Sequence, residues 1–135
     1  MTEALTPESK TLVIEHRLPH AQDKVWRALT QSELMADWLM PNDFEPVVGR
    51  AFTLRTDPNP HWNGVITGEV LAVEPMSRLV YKWYDMTIAM TLTPEDGGVL
   101  LRLEQTGFAN DQAYHGARFG WTNFLNRLEP VAARA

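Results

Sequence analysis

Apolar residues recur at two different spacings along this chain, and the switches between them mark its elements. From Thr11 to Leu18 the residues alternate, with Leu12, Ile14 and Leu18 on one side, which predicts a strand that Pro19 stops. Ala21, Val25, Trp26, Ala28 and Leu29 then fall at helical spacing. Thr30-Gln-Ser-Glu33 has the form of a capping box, Thr30 capping the amide of Glu33 and the Glu33 carboxylate reaching back. That predicts a second short helix from about Gln31 to Leu39, burying Leu34, Met35 and Trp38 and ended by Pro41. Residues 41 to 49, with Phe44 among them, read as loop.

Beyond Gly49 the period falls to two. Ala51–Thr56 sets Phe52 and Leu54 on one face, and Asp57-Pro-Asn-Pro60 is a turn signal. Gly64–Val73 reads as a long strand that Glu74-Pro-Met-Ser77 turns back. Arg78–Asp85 places Leu79, Tyr81 and Trp83 together, and Thr87–Thr93 does the same for Ile88, Met90 and Leu92. Pro94-Glu-Asp-Gly-Gly98 predicts a hairpin loop, after which Val99, Leu101, Leu103 and Gln105 share a face. Helical spacing returns from Asn110 to about Glu129, in a stripe of Tyr114, Ala117, Arg118, Trp121, Phe124, Leu125 and Leu128. Asn110 or Asp111 can cap its start, and Pro130 is expected to end or kink it, leaving a frayed tail.

The order is therefore strand, two short helices, five antiparallel strands and one long helix. Strands so closely spaced form a meander, not parallel crossovers, so the class is α+β. A six-stranded sheet with one apolar face needs a cover, and only the last helix is long and apolar enough to supply it. Such a helix held by a curved sheet leaves a wedge-shaped interior lined by aromatics and methionines.

Composition narrows the chemistry. The length suits one domain, taken as 11–135 after a flexible tail over 1–10. There is no cysteine, which excludes disulfides, thiolate catalysis and Cys-based metal sites. The net charge is −5 and the twelve basic residues are scattered, a poor surface for nucleic acid or an anionic membrane. No stretch has the length of a membrane span or a signal peptide, so the expected location is cytoplasmic.

Catalytic motifs are not found. His16, His20, His61 and His115 lack metal-ligand spacing, and Ser9, Ser32 and Ser77 sit outside any nucleophile elbow. Glu69, Asp85, His115 and Tyr81 are the groups an acid–base mechanism would recruit, but nothing pairs them, and parity turns Glu69 and Glu104 to solvent. Polar residues on the inward face are more telling. Gln105 continues the Leu101/Leu103 face, where its amide needs partners: a ligand, a water, Tyr81 or a backbone group. Tyr81 is either aromatic core or a phenol that orients a ligand. Gly120 weakens the helix, either to make room for a ligand or for close packing on the sheet. Pro58, Pro60, His61 and Trp62 form a rigid aromatic loop, over the cavity mouth or as an interaction loop.

Several short motifs, in order, carry a resemblance. They are Asp23-Lys-Val-Trp-Arg-Ala-Leu-Thr30, Met35-Ala-Asp-Trp38 with Pro41, and Val48-Gly49 before Phe52. Gly68-Glu-Val-Leu71 with Pro75, Arg78-Leu-Val-Tyr-Lys-Trp83, Gln105-Thr-Gly-Phe108, and Gly120-Trp121 with Leu125 and Leu128 follow. Together they cover roughly residues 11–130, and the chain resembles the helix-grip, START-like (SRPBCC) superfamily. The branch is the one similar to the C-terminal domain of the heat-shock-protein ATPase activator. The resemblance implies a helix-grip fold and a hydrophobic or aromatic small molecule held between sheet and last helix. With the two-period face it nominates Phe52, Leu54, Val70, Tyr81, Trp83, Ile88, Met90, Leu101, Gln105, Tyr114 and Trp121 as ligand-binding residues. No cofactor and no metal are expected. The resemblance leaves two alternatives open, a chaperone-associated interaction domain and a cyclase- or hydrolase-like enzyme. Against the chaperone role, the activator carries a further N-terminal domain for which this chain has no room. A homodimer, through an edge strand or the Trp62 loop, is a further expectation.

Overall fold

A computed structural model describes residues 11–135, so the expected tail over 1–10 lies outside the described residues. The elements run β1 (Thr11–Leu18), α1 (Gln22–Thr30), α2 (Ser32–Trp38), β2 (Ala51–Arg55), β3 (Val65–Glu74), β4 (Arg78–Trp83), β5 (Met86–Glu95), β6 (Gly98–Thr106) and α3 (Asp111–Arg134). The six strands form one antiparallel sheet in the order β1-β6-β5-β4-β3-β2. Its first and last strands in sequence are neighbours, so β1 is tied to β6 as soon as the meander closes. This is the helix-grip arrangement: a curved sheet whose inner face is covered by helices, α3 above all.

Alternation decides which side chains face inward. Leu12 and Leu18 of β1, Phe52 and Leu54 of β2, Leu79, Tyr81 and Trp83 of β4, Ile88, Met90 and Leu92 of β5 and Leu101, Leu103 and Gln105 of β6 are all buried. The pairings set Val70, Tyr81, Ile88, Gln105 and Leu12 in one row across five strands. Gly68 lies inside β3 because a Cβ there would stand 2.1 Å from the Lys82 carbonyl oxygen and 2.5 Å from the Phe52 ring. Just beyond it, a bulge between Val70 and Ala72 bends the strand and turns Leu71 out to solvent.

Four local expectations are corrected. The capping box at Thr30 does not form: Thr30 is the last residue of α1, and its hydroxyl donates to the Trp26 carbonyl one turn back. Gln31 stands at the start of α2 with no side-chain cap. Pro130 neither ends nor frays α3, which continues to Arg134 with Val131 and Ala132 buried. Burying those two side chains outweighs the one hydrogen bond that proline cannot make. Arg118 is exposed and leaves the apolar stripe. Lastly, the β5–β6 turn is tighter than expected, with Pro94 and Glu95 paired to Val99 and Gly98. The cap at Asn110 is as read: its side chain accepts from the Ala113 amide at 2.8 Å.

Candidate functional site

The space between sheet and helices has two aromatic ends joined by an aliphatic floor. At one end Phe44, Phe52 and Tyr81 meet edge to face, with ring centroids 5.1, 5.8 and 5.4 Å apart. Phe44 comes from the 41–49 loop, which the side chain of Asn42 shapes. Its Nδ2 donates to the carbonyls of Met40 and Ser32, and its Oδ1 accepts from the Phe44 amide. Phe44 is thereby pushed into the core, 2% exposed. Sequence patterning passed over it because an aperiodic loop gives no face; the Asn42-Asp43 pair was the available signal.

At the other end Trp83 of β4 lies 5.1 Å from Trp121 of α3, and Phe124 sits edge-on to Trp121 at 5.6 Å. Gln105 stands below them, 1% exposed among apolar side chains. Its Oε1 accepts the Trp121 indole N–H at 2.8 Å, and its Nε2 points to the Met86 sulfur at 3.3 Å. Tyr81 is two strands away in the same row, with Ile88 between, so it is not Gln105's partner. Adjacent strands lie about 4.8 Å apart, which puts the two beyond direct reach. Met86 is the neighbour the sequence reading leaves out, because β5 starts one residue earlier than the Thr87 expected, so that Met86 extends the Ile88/Met90 face.

All eleven nominated residues do gather on this interior: ten are buried and Tyr114 is half-buried, packed on Phe108 at 5.6 Å. They touch one another more than they surround open space. Four surface grooves of about 680, 180, 340 and 380 Å³ lie elsewhere, and none is lined by any of the eleven. Gly120 faces open space, since a Cβ there would meet nothing within 4 Å. Close packing on the sheet is therefore not what it serves.

Burial pushes the Tyr81 phenol well above its ordinary value near 10, so it stays a neutral hydroxyl at physiological pH. Gln105 is likewise neutral. The interior thus offers apolar surface, aromatic edges and an amide, the means of binding and orienting an uncharged molecule. Among the described residues no three of His, Asp and Glu stand close enough to share a metal ion. No helix of the described residues is long and apolar enough to cross a membrane.

Comparison with known proteins agrees with this architecture. The crystal structure of a protein from Mesorhizobium loti is similar at 43% identity, covering 93% of this chain and 98% of that one with a TM-score of 0.85. The solution structure of a Bacillus halodurans protein shares the fold at 22% identity, with 91% and 96% covered and a TM-score of 0.79. So does CalU16 from Micromonospora echinospora, at 24% identity, with 90% and 75% covered and a TM-score of 0.77. No curated protein matches. A family model described as activator of Hsp90 ATPase homolog 1-like protein matches residues 19–133, from the end of β1 through nearly all of α3. The chain belongs to that family, a START-like, helix-grip branch.

Proposed function

We propose that this protein binds a hydrophobic or aromatic small molecule between the sheet and the first half of α3, and that the molecule carries an acceptor oxygen that Gln105 reads. The observation that supports this is the state of the Gln105 amide. A buried primary amide has two N–H donors, and here that nitrogen donates to a thioether, a weak acceptor. A ligand carbonyl or hydroxyl is a better partner, and Met86 is flexible enough to yield its place. Ten of the eleven nominated side chains are buried, so binding requires the helix above them to lift. The reading includes that motion: residues 111–120 contain no fully buried side chain, and Gly116 and Gly120 lie within or beside the segment that would move.

Nile red, neutral and carrying a carbonyl, is a suitable probe. Saturable binding at one per chain, with NMR shifts of the Trp121 indole N–H and the Gln105 side-chain amide, is the expected result. Gln105→Leu should weaken binding between a few-fold and about tenfold, the size of one hydrogen bond. Thermal unfolding of that variant controls for Trp121 losing its acceptor. Absence of shifts at Trp121 and Gln105 under saturating probe would reject the reading.

Contact with a heat-shock chaperone is a second reading, drawn from the family description and favoured by one feature. Phe119 stands 73% exposed on the outer side of α3. Retention of this protein by Hsp90, lost in Phe119→Ser, is the expected outcome; failure of the wild-type chain to be retained would end it.

A further inference from the structure

A shallow surface groove of about 680 Å³ lies on the opposite side of the sheet from the proposed interior site, and hydrogen bonds fix the loop that forms it. The loop from β2 to β3 folds across the outer face, where Val65 and Thr67 alternate with the buried Ile66. Asn59 and Trp62 close it with two backbone hydrogen bonds, Asn59 amide to Trp62 carbonyl at 2.8 Å and the reverse at 3.2 Å. The Thr56 amide donates to the Gly64 carbonyl at 2.8 Å. Gly64 takes φ +79° there, and any Cβ would fall 2.3 Å from the Thr56 carbonyl oxygen.

Two aromatic rings are fixed beside this loop. The Trp62 indole N–H donates to the Tyr84 hydroxyl at 2.8 Å, which donates in turn to the Val65 carbonyl at 2.6 Å. Tyr84 opens the two-residue turn between β4 and β5, where the hairpin itself calls for its φ of +60°, and the residue remains 43% exposed. The relay also consumes the polar atoms of both rings, so what they offer outward is their apolar faces.

The amides are fixed in the complementary sense. The Oδ1 atoms of Asn59 and Asn63 accept the backbone amides of His61 and Val65, at 2.8 and 3.1 Å. Their Nδ2 groups, which can only donate, are what remain for a ligand. Among the described residues no carboxylate, lysine or arginine lines this groove, although the chain carries a net charge of −5.

From these features we infer a second binding site, in the groove between Trp62, Tyr84, Asn59 and Asn63, for a neutral, flat heteroaromatic ring with acceptors on its edge. Stacking surfaces flanked by donor-only amides match a ligand that has a π-face and carbonyl or ring-nitrogen acceptors and needs no counter-charge. The site is separate from the one proposed for the interior, and different residues report on the two.

Caffeine, a flat ring with acceptors and no N–H donor, is the probe. NMR of the full chain should show shifts of the Trp62 indole N–H and the Asn59 and Asn63 side-chain amides, with Trp121 and Gln105 unmoved. A non-aromatic cyclic urea, tetrahydro-1,3-dimethyl-2-pyrimidinone, has the acceptor without the π-face and should bind far more weakly. Asn59→Asp with Asn63→Asp keeps the oxygen each loop turn needs but replaces the outward donor by an acceptor. Affinity for caffeine should fall about tenfold while the fold stays intact. Trp62→Phe, which keeps a stacking face, should retain most of the binding, and Trp62→Ala should lose it. Equal binding of the cyclic urea, undiminished binding by the Asp variant, shifts at Trp121 and Gln105 in place of Trp62, or no shifts up to the solubility of caffeine would each overturn the inference.

Discussion

The two halves of α3 behave as different structures on one helix. From Trp121 onward, Trp121, Leu125, Leu128, Val131 and Ala132 are buried. Polar ties fasten the same half: His20 to Glu129 at 2.9 Å, the Lys24 ammonium to the Ala133 carbonyl at 2.7 Å, the Arg27 guanidinium to the Ala135 carbonyl oxygen at 3.1 Å, and Arg134 to Asp37. From Asp111 to Gly120 no side chain is fully buried, two residues are glycine, and Phe119 faces solvent. Local stability follows buried contact and not helical appearance, so the first half should open at a small fraction of the global unfolding free energy. The anchored half positions Trp121 over Gln105; in the proposed reading the loose half is the part that moves to admit a ligand.

The sharpest way to test that contrast is to cut into each half. Leu128→Ala removes a fully buried side chain and should cost about 2–5 kcal/mol in denaturant unfolding. Gly116→Ala and Gly120→Ala act in the opposite direction. Their Cβ atoms meet nothing, so each should stabilise the helix by about 1 kcal/mol. If the first half moves to admit a ligand, the same double variant should also slow Nile red association, measured by stopped flow. Asn110→Ala removes the side-chain acceptor at the start of α3 and should cost about 1 kcal/mol, confined to the loose half in hydrogen exchange. Phe119→Ala should change stability by less than about 0.5 kcal/mol, because little of that side chain is removed from water.

A further test concerns pH. The Tyr81 hydroxyl is raised by burial, so below its ordinary value near 10 the phenol is neutral in both folded and unfolded chains. Above that value the unfolded chain loses its proton first, so stability should decline as pH rises past about 10. Tyr81→Phe should flatten part of that alkaline decline and leave neutral pH behaviour unchanged, as read by thermal unfolding at a series of pH values.

Much of this architecture was legible from spacing because alternation and helical period are set by which side is dry. The order of elements, the inward turn of Gln105 and the Asn110 cap all follow from that. Two things escaped for local reasons. Whether Thr30 caps the next helix or closes its own depends on which backbone group its hydroxyl reaches first, and Trp26 is nearer. Whether Pro130 stops a helix depends on what lies beyond it, and Val131 and Ala132 have a core to enter. The candidate site was legible as a set of inward residues, but not as a closed interior: side-chain volume and helix position decide how much space remains. The outer groove was visible only as a proline-rich aromatic loop, since its relay joins Trp62 to Tyr84 across 22 residues of sequence.

Hydrogen exchange along α3, with and without Nile red, bears most directly on the proposal that the first half of this helix covers a ligand site. Amides of residues 112–120 should exchange far faster than those of 122–132 in the free protein, and saturating Nile red should protect the first set selectively. Uniform exchange along the whole helix, or bound Nile red that leaves residues 112–120 as unprotected as before, would contradict it.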